Sequence, residues 1–166
     1  MEQNQTKTKI KTFYLKFYSI IKIFVLLILF LLTSCEKKYD EVIDPIQNKP
    51  PIISNLIAPD TLNLSTDTLK IIISIRAIDY DGKEDIQSVF FNSYLPDGSP
   101  SRSNPILMYD DGNLIVNGDQ IANDGIYSRI IILPPNTTKG KYRFEFQAID
   151  KKNARSNIIN HFIVVK

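Results

Sequence analysis

Two loops of the sequence gather carboxylates closely enough to act together on a cation. The first places four acidic residues within seven positions: Asp79, Asp81, Glu84 and Asp85. The second spreads four aspartates over fifteen positions: Asp110, Asp111, Asp119 and Asp124. Because Ca²⁺ takes about 6 to 8 oxygen ligands, either loop could supply part of a calcium site.

The first loop is the denser of the two, and we predict Asp79, Asp81 and Asp85 as its calcium ligands. The loop is not an EF-hand, since aspartates at ligand positions 3 and 5 would leave Ala77 at position 1 and Ser88 at position 12. Turn chemistry is the alternative, because Asp and Asn before Gly satisfy turn backbones and tolerate left-handed conformations. Both interpretations are open at this point.

Other residue types suited to catalysis are scarce. The chain has one His, His161, and one Cys, so neither a zinc ligand set nor a Cys-His or Ser-His pair can be assembled. No Gly-x-Ser-x-Gly, P-loop or dinucleotide fingerprint is present. Carboxylate pairs alone could serve a glycosidase, but so short a domain lacks the deep cleft and auxiliary residues of such enzymes. We therefore expect His161 to be structural, the protein not to be an enzyme, and no small-molecule substrate.

The amino terminus has its own composition. Five lysines precede residue 23 against one acid, Glu2, and ten consecutive apolar residues follow at 23–32. That apolar run fits a signal-peptide core and is well short of the roughly 20 residues that span a bilayer. An uncleaved anchor over 13–32 would bury Lys16 and Lys22, which costs several kcal/mol on insertion scales.

The string Leu32-Thr33-Ser34-Cys35 resembles the lipobox of bacterial lipoproteins. The resemblance implies that residues 1–34 are a signal peptide, that cleavage precedes Cys35, and that Cys35 carries diacylglycerol and a further acyl chain such as palmitate. Two or three acyl chains give stable membrane attachment. The expected location is the bacterial cell envelope, with the outer membrane favoured and the domain either periplasmic or surface-exposed.

Cleavage changes the charge of the protein. The 166-residue precursor carries +2, but five of its 20 bases and one of its 18 acids lie in the leader, so the mature 132 residues carry −2. Neither form is basic enough to bind nucleic acid. Residues 35–49 hold the lipidated Cys and a polar tether of mixed charge, and residues 50–166 form the predicted domain.

The predicted domain has the alternation of β-strands. Apolar residues recur at every second position in 69–77 and 142–148, and β-branched or aromatic residues dominate 52–56, 86–94, 106–109, 127–133 and 158–165. Turn signals such as Asp81-Gly82 and Pro134-Pro135 separate these segments. About seven short strands without a helical pattern predict an all-β sandwich.

Three segments, 75–89, 110–128 and 140–150, resemble strand ends and turns of the immunoglobulin-like domains of bacterial surface proteins. The resemblance implies an immunoglobulin-like sandwich and places Tyr142 where a tyrosine corner would lie. The disulfide and Trp of antibody domains are both absent from the sequence. Ile73 and Phe144 would therefore meet as plain hydrophobic contacts.

We expect a non-catalytic binding or adhesion module, anchored to the membrane by lipid, with an envelope protein or polysaccharide as partner and no nucleic acid. Ligand contact would fall on loops at one end of the sandwich. The alternative is a structural or assembly subunit that pairs with a protein partner through a sheet edge.

Overall fold

Eight β-strands form the regular structure of residues 47–166 in a computed structural model. They are β1 (Ile52–Ile57), β2 (Thr61–Leu62), β3 (Leu69–Ile78), β4 (Ile86–Tyr94), β5 (Ile106–Met108), β6 (Ile126–Leu133), β7 (Gly140–Asp150) and β8 (Ile159–Val165), with one 3-10 turn at Lys83–Asp85. No α-helix occurs in residues 47–166. The predicted all-β class is confirmed, and each of the seven predicted strands is present.

The structure describes Lys22 and residues 47–166. The remainder of the predicted signal peptide, the lipobox, Cys35 and the tether up to residue 46 lie outside the described residues. Among the described residues, no helix has the length and apolar character needed to cross a membrane.

The strands form two sheets, with orders β1-β3-β6 and β2-β8-β7-β4-β5. All pairings are antiparallel except β2 with β8. In immunoglobulin domains one sheet joins strands A, B, E and D, and the other joins G, F and C, with C′ added in variable types. The order β1-β3-β6 corresponds to A-B-E, and β8-β7-β4-β5 corresponds to G-F-C-C′, with the short β2 added beside β8. This strand order confirms the predicted immunoglobulin-like sandwich.

The core lies between the two sheets and comes from the alternation seen in the sequence. On β3 the buried residues are Ile73, Ile75 and Ala77, as predicted. On the facing sheet the rings of Phe91, Phe144 and Phe146 cluster with centroids 5.2 to 6.5 Å apart.

Among the described residues, the buried apolar side chains fall between Pro51 and Val165, within one compact unit that runs from Ile46 to Lys166. The unit thus carries a complete core of its own.

Two features were not predicted. β2 has only two residues, too few to show any period, and is defined by its parallel pairing of Leu62 with Val165. The long connection from β5 to β6 contains no strand and folds over the outer face of the three-stranded sheet. Gly118 there lies so close to Ile72 that a Cβ would come within 2.9 Å of the Ile72 Cγ2.

Candidate functional site

Three aspartates meet at the end of the sandwich where β3 and β7 finish. Asp79 follows β3, Asp85 closes the 3-10 turn that leads into β4, and Asp150 ends β7. The antiparallel pairing of Ile86 with Asp150 brings the start of β4 beside the end of β7, and the Lys151 N–H donates to the Asp85 carbonyl at 2.8 Å. One carboxylate oxygen from each aspartate lies within 4.8 Å of the others.

Asn48, just before β1, completes this group. Its side-chain amide nitrogen donates to Asp150 Oδ2 at 2.6 Å. Asn48 Oδ1, Asp79 Oδ2 and Asp85 Oδ2 are all buried, and none of the three has a hydrogen-bond donor within the described residues. Buried acceptors without a partner are costly and are rare in folded proteins. These unpartnered acceptors and the grouped carboxylates make this end of the sandwich a candidate cation site.

The charges at this site favour a cation for a second reason. Burial, and then the neighbouring carboxylates of Asp81, Asp85 and Asp150, raise the pKa of Asp79, although the N–H of Asp81 opposes the rise. Burial also acts to raise the pKa of Asp150, but hydrogen bonds from Asn48, Ala154 and Lys152 hold that pKa below its usual value. Asp150 thus stays ionised, and ionisation of Asp79 beside it is unfavourable in free energy.

The ligand set has the chemistry of calcium. Three carboxylates and one amide carbonyl are hard oxygen donors, which Ca²⁺ combines with water in flexible geometries of about 6 to 8 ligands. Zinc prefers Cys and His, and neither residue type is in the group. Asn48, Asp79, Asp85 and Asp150 would provide four of the oxygens.

The three predicted ligands do not all meet. Asp79 and Asp85 come together, but Asp81 lies outside the group and accepts the Lys49 N–H at 2.6 Å through Oδ2. Its own N–H donates to Asp79 Oδ1 at 2.8 Å, so Asp81 shapes the turn that carries Asp79.

Sequence reasoning missed Asn48 and Asp150. One signal could have identified Asp150, because the tripeptide Ala-Ile-Asp occurs at the ends of two strands. Asp79 of Ala77-Ile78-Asp79 directly follows β3, and Asp150 of Ala148-Ile149-Asp150 is the last residue of β7. For Asn48, which lies in a polar segment of mixed composition, the sequence offers no comparable signal.

The second acidic loop is different. Asp110, Asp119 and Asp124 also place one oxygen each within 4.8 Å of one another. Their carboxylates, however, accept backbone N–H groups of Gly125 at 2.9 Å, Gly112 at 2.5 Å and Ile126 at 2.8 Å. Turn chemistry accounts for this cluster.

Two further predicted residues have clear positions. The Tyr142 hydroxyl, near the start of β7, donates to the Thr138 carbonyl at 2.8 Å, which is the hydrogen bond of a tyrosine corner. His161 Nε2 lies 3.1 Å from the Pro59 carbonyl and 3.6 Å from Asp60 Oδ1. These contacts join β8 to the segment before β2.

Comparison with known proteins identifies no family. No family model matches the chain, and no curated protein matches it. Among solved structures, it resembles the fibronectin(III)-like modules of Clostridium thermocellum CbhA with 23% identity and a TM-score of 0.39, over 70% of this chain and 47% of that one. The chain thus spans about half the length of that structure.

Two other solved structures are similar to a comparable degree. The PKD domain of a peptidase from a Thermoplasmatales archaeon has 16% identity and a TM-score of 0.40, over 71% of this chain and 97% of that one. A Niemann-Pick type C2 protein from the Japanese carpenter ant has 12% identity and a TM-score of 0.41, over 73% of this chain and 96% of that one. We draw no functional conclusion from likenesses this distant, and the fold assignment rests on the strand order above.

Proposed function

We propose that this chain is a bacterial envelope lipoprotein, lipidated on Cys35, whose immunoglobulin-like domain binds calcium and acts as a non-catalytic binding or adhesion module. The leader and the string Leu32-Thr33-Ser34-Cys35 support the anchor. The observation that carries the calcium assignment is the set of three buried, unpartnered oxygens of Asn48, Asp79 and Asp85 beside Asp150.

The site lies where the tether enters the domain. Asn48 contacts Asp150, and the backbone of Lys49 contacts Asp81, so two consecutive tether residues are held to the ends of β7 and β3. A bound Ca²⁺ would strengthen this attachment, because it adds ligand bonds between Asn48 and three aspartates of the folded domain. The end of the sandwich that adjoins the tether would then be rigid in the calcium concentrations found outside the cytoplasm.

Calcium titration of residues 36–166 tests the proposal, with thermal unfolding measured beside calorimetry. We expect heat of binding and a rise in melting temperature at millimolar calcium or below. The effect of Asp79→Asn on the melting temperature should change sign with calcium. In chelator the variant should melt at a higher temperature than the wild type, because a repelled carboxylate is removed. In calcium the variant should melt at a lower temperature than the wild type, because a ligand is lost.

Asp124→Asn is the matched control, since Asp124 belongs to the second acidic cluster, and it should keep calcium binding. No binding heat and no shift in melting temperature for the wild type would reject the calcium site.

A second candidate function is an assembly subunit that pairs with another protein through a sheet edge. The observation that favours it is on β6, where the outward backbone groups of Ile130 and Ile132 have no partner within the described residues. Cross-linking in intact cells would test this function by showing whether the domain is held in a fixed ratio to another protein.

A further inference from the structure

β6 is the edge strand of the three-stranded sheet, and half of that edge is unpaired. Its inner side pairs with β3 along the whole strand. On its outer side, Ser128 exchanges two hydrogen bonds with Tyr109, at 2.8 and 2.9 Å. Alternate residues of a strand direct their backbone groups to the same side, so Ile130 and Ile132 also point outward. Within residues 47–166 neither has a hydrogen-bond partner on that side.

An apolar cleft opens directly beside this free edge. It has a volume of about 280 Å³ and lies between β6 of one sheet and β5 of the other. Its lining includes Ile131 of β6, Ile106 of β5, and Phe91 and Phe144 of the core. The side chain of Ile131 therefore faces the cleft while its two neighbours face the opposite surface of the sheet.

The position beside this part of β6 is the one that strand D fills in immunoglobulin domains. Here the corresponding connection, residues 109–125, contains no strand. It passes over the outer face, where Gly118 packs on Ile72 and Ile130, and it does not extend along the edge past Ser128.

Between Ile130 and Leu133 the free edge has none of the features by which edge strands avoid pairing, and Arg129 and Pro134 flank this stretch. Natural edges carry charged side chains, especially Lys, or inward-pointing charges, Pro or a bulge. Residues 130–133 read Ile-Ile-Ile-Leu, and the pairing with β3 runs there without interruption. The Ile132 side chain is 59% exposed.

We propose that β6 accepts an extended segment of a partner polypeptide at Ile130–Ile132, and that an apolar side chain of this segment enters the cleft. The proposal rests on the second candidate function and names its edge and the chemistry of its partner. The outward N–H and C=O groups of Ile130 and Ile132 are spaced as the backbone groups of a second strand would require for hydrogen bonding. The partner residue opposite Ile131 would point to the same side as Ile131, which is into the cleft. The partner segment should therefore alternate apolar and polar residues.

NMR of residues 36–166 with a defined peptide tests this proposal. The probe is a short peptide that alternates Leu with Thr between terminal lysines. We expect slowed amide exchange at Ile130 and Ile132, together with shifts of the methyl groups of Ile106 and Ile131. A peptide of the same composition with its leucines adjacent, and a peptide N-methylated on the backbone that faces β6, should both fail to bind.

Matched variants of the protein, in place of changes to the peptide, also test the β6 edge. Ile132→Pro removes one outward N–H, at an edge position where Pro is tolerated, and should abolish peptide binding. Ile132→Thr keeps that N–H and should bind as the wild type does. The N-methylated peptide gives the same information without any change in the protein, in case the proline variant does not fold.

Four results would overturn the proposal. Two concern the peptide: no protection of the Ile130 and Ile132 amides at millimolar peptide, or binding by the Ile132→Pro variant that equals that of the wild type. The other two point to a different occupant: amide protection that rises with protein concentration in the absence of peptide, or a fatty acid that binds in the cleft while no peptide strand binds. The proposed function and this proposal can fail separately. If the peptide binds β6 but cross-linking in cells finds no partner protein, the assembly function is rejected and the edge site remains. If cross-linking finds a partner at another surface and the peptide does not bind, only the β6 site is rejected.

Discussion

The side chain of Asn48 donates a hydrogen bond of 2.6 Å to Oδ2 of Asp150, across 102 positions of sequence. This bond joins the last residues of the tether to the end of β7. It also leaves Asn48 Oδ1 buried and free to bind a cation beside Asp79 and Asp85. One residue thus both holds the tether to β7 and contributes to the proposed calcium site.

Asn48→Asp separates these two roles. The substitution replaces a hydrogen-bond donor with a fourth carboxylate, so it should lower the melting temperature in chelator through repulsion. In calcium it should raise affinity about tenfold, because calcium affinity increases with ligand charge. Calorimetric titration and thermal unfolding measure the two effects.

Asn48→Ala is the comparison for that experiment, since it should weaken calcium binding about tenfold or more while adding no charge. If both variants bind calcium as tightly as the wild type does, Asn48 is not a ligand.

The tyrosine corner has a measurable effect on stability. Tyr142→Phe removes the hydrogen bond to the Thr138 carbonyl and should destabilise the domain by about 0.5 to 1.5 kcal/mol. Tyr80→Phe is the control, because Tyr80 is 66% exposed and should tolerate the change. Denaturant unfolding compares them, and equal midpoints for Tyr142→Phe and wild type would show that the corner contributes nothing.

Alkaline pH should destabilise the domain through Tyr127. Burial, and then the charges of Asp110 and Glu84, raise the pKa of Tyr127 to about 12 from an unfolded value of 10.0. A group with a raised folded pKa contributes its full stability below the unfolded pKa and loses that contribution as the pH rises through the folded value. The loss between pH 10 and 12 should be about 1 to 2 kcal/mol after allowance for solvent screening.

Tyr127→Phe should flatten this part of the stability curve, and denaturant unfolding at stepped pH would show it. A variant curve as steep as that of the wild type between pH 10 and 12 would assign the alkaline loss to other groups.

Lipidation is tested on the whole precursor in a bacterial host. Labelled palmitate should enter the wild-type protein, and Cys35→Ala should abolish the label and release the protein from the membrane fraction. Ser34→Phe places a large side chain just before the predicted cut and should leave the precursor uncleaved. Label in the Cys35→Ala variant at the wild-type level would contradict the lipoprotein assignment.

Strand positions were predictable because their signal is local. The alternation of Ile73, Ile75 and Ala77 with polar neighbours follows from the two-residue period of a strand with one buried face, and it can be read without knowing the partner strand. β2 could not be found this way, because two residues are too short to show any period. The free edge of β6 was also hidden, since its sequence does not reveal that the adjoining connection turns away over the sheet.

The acidic site was only partly predictable from the local sequence. The sequence alone determined that Asp79 and Asp85 lie in one loop, because seven positions of chain cannot separate them far. Only the tertiary structure decided that Asp150 and Asn48 join them and that Asp81 does not. The physical reason is that sheet order brings the end of β7 and the start of β1 to the same end of the sandwich. Contacts between residues 102 positions apart depend on that packing and not on any local pattern.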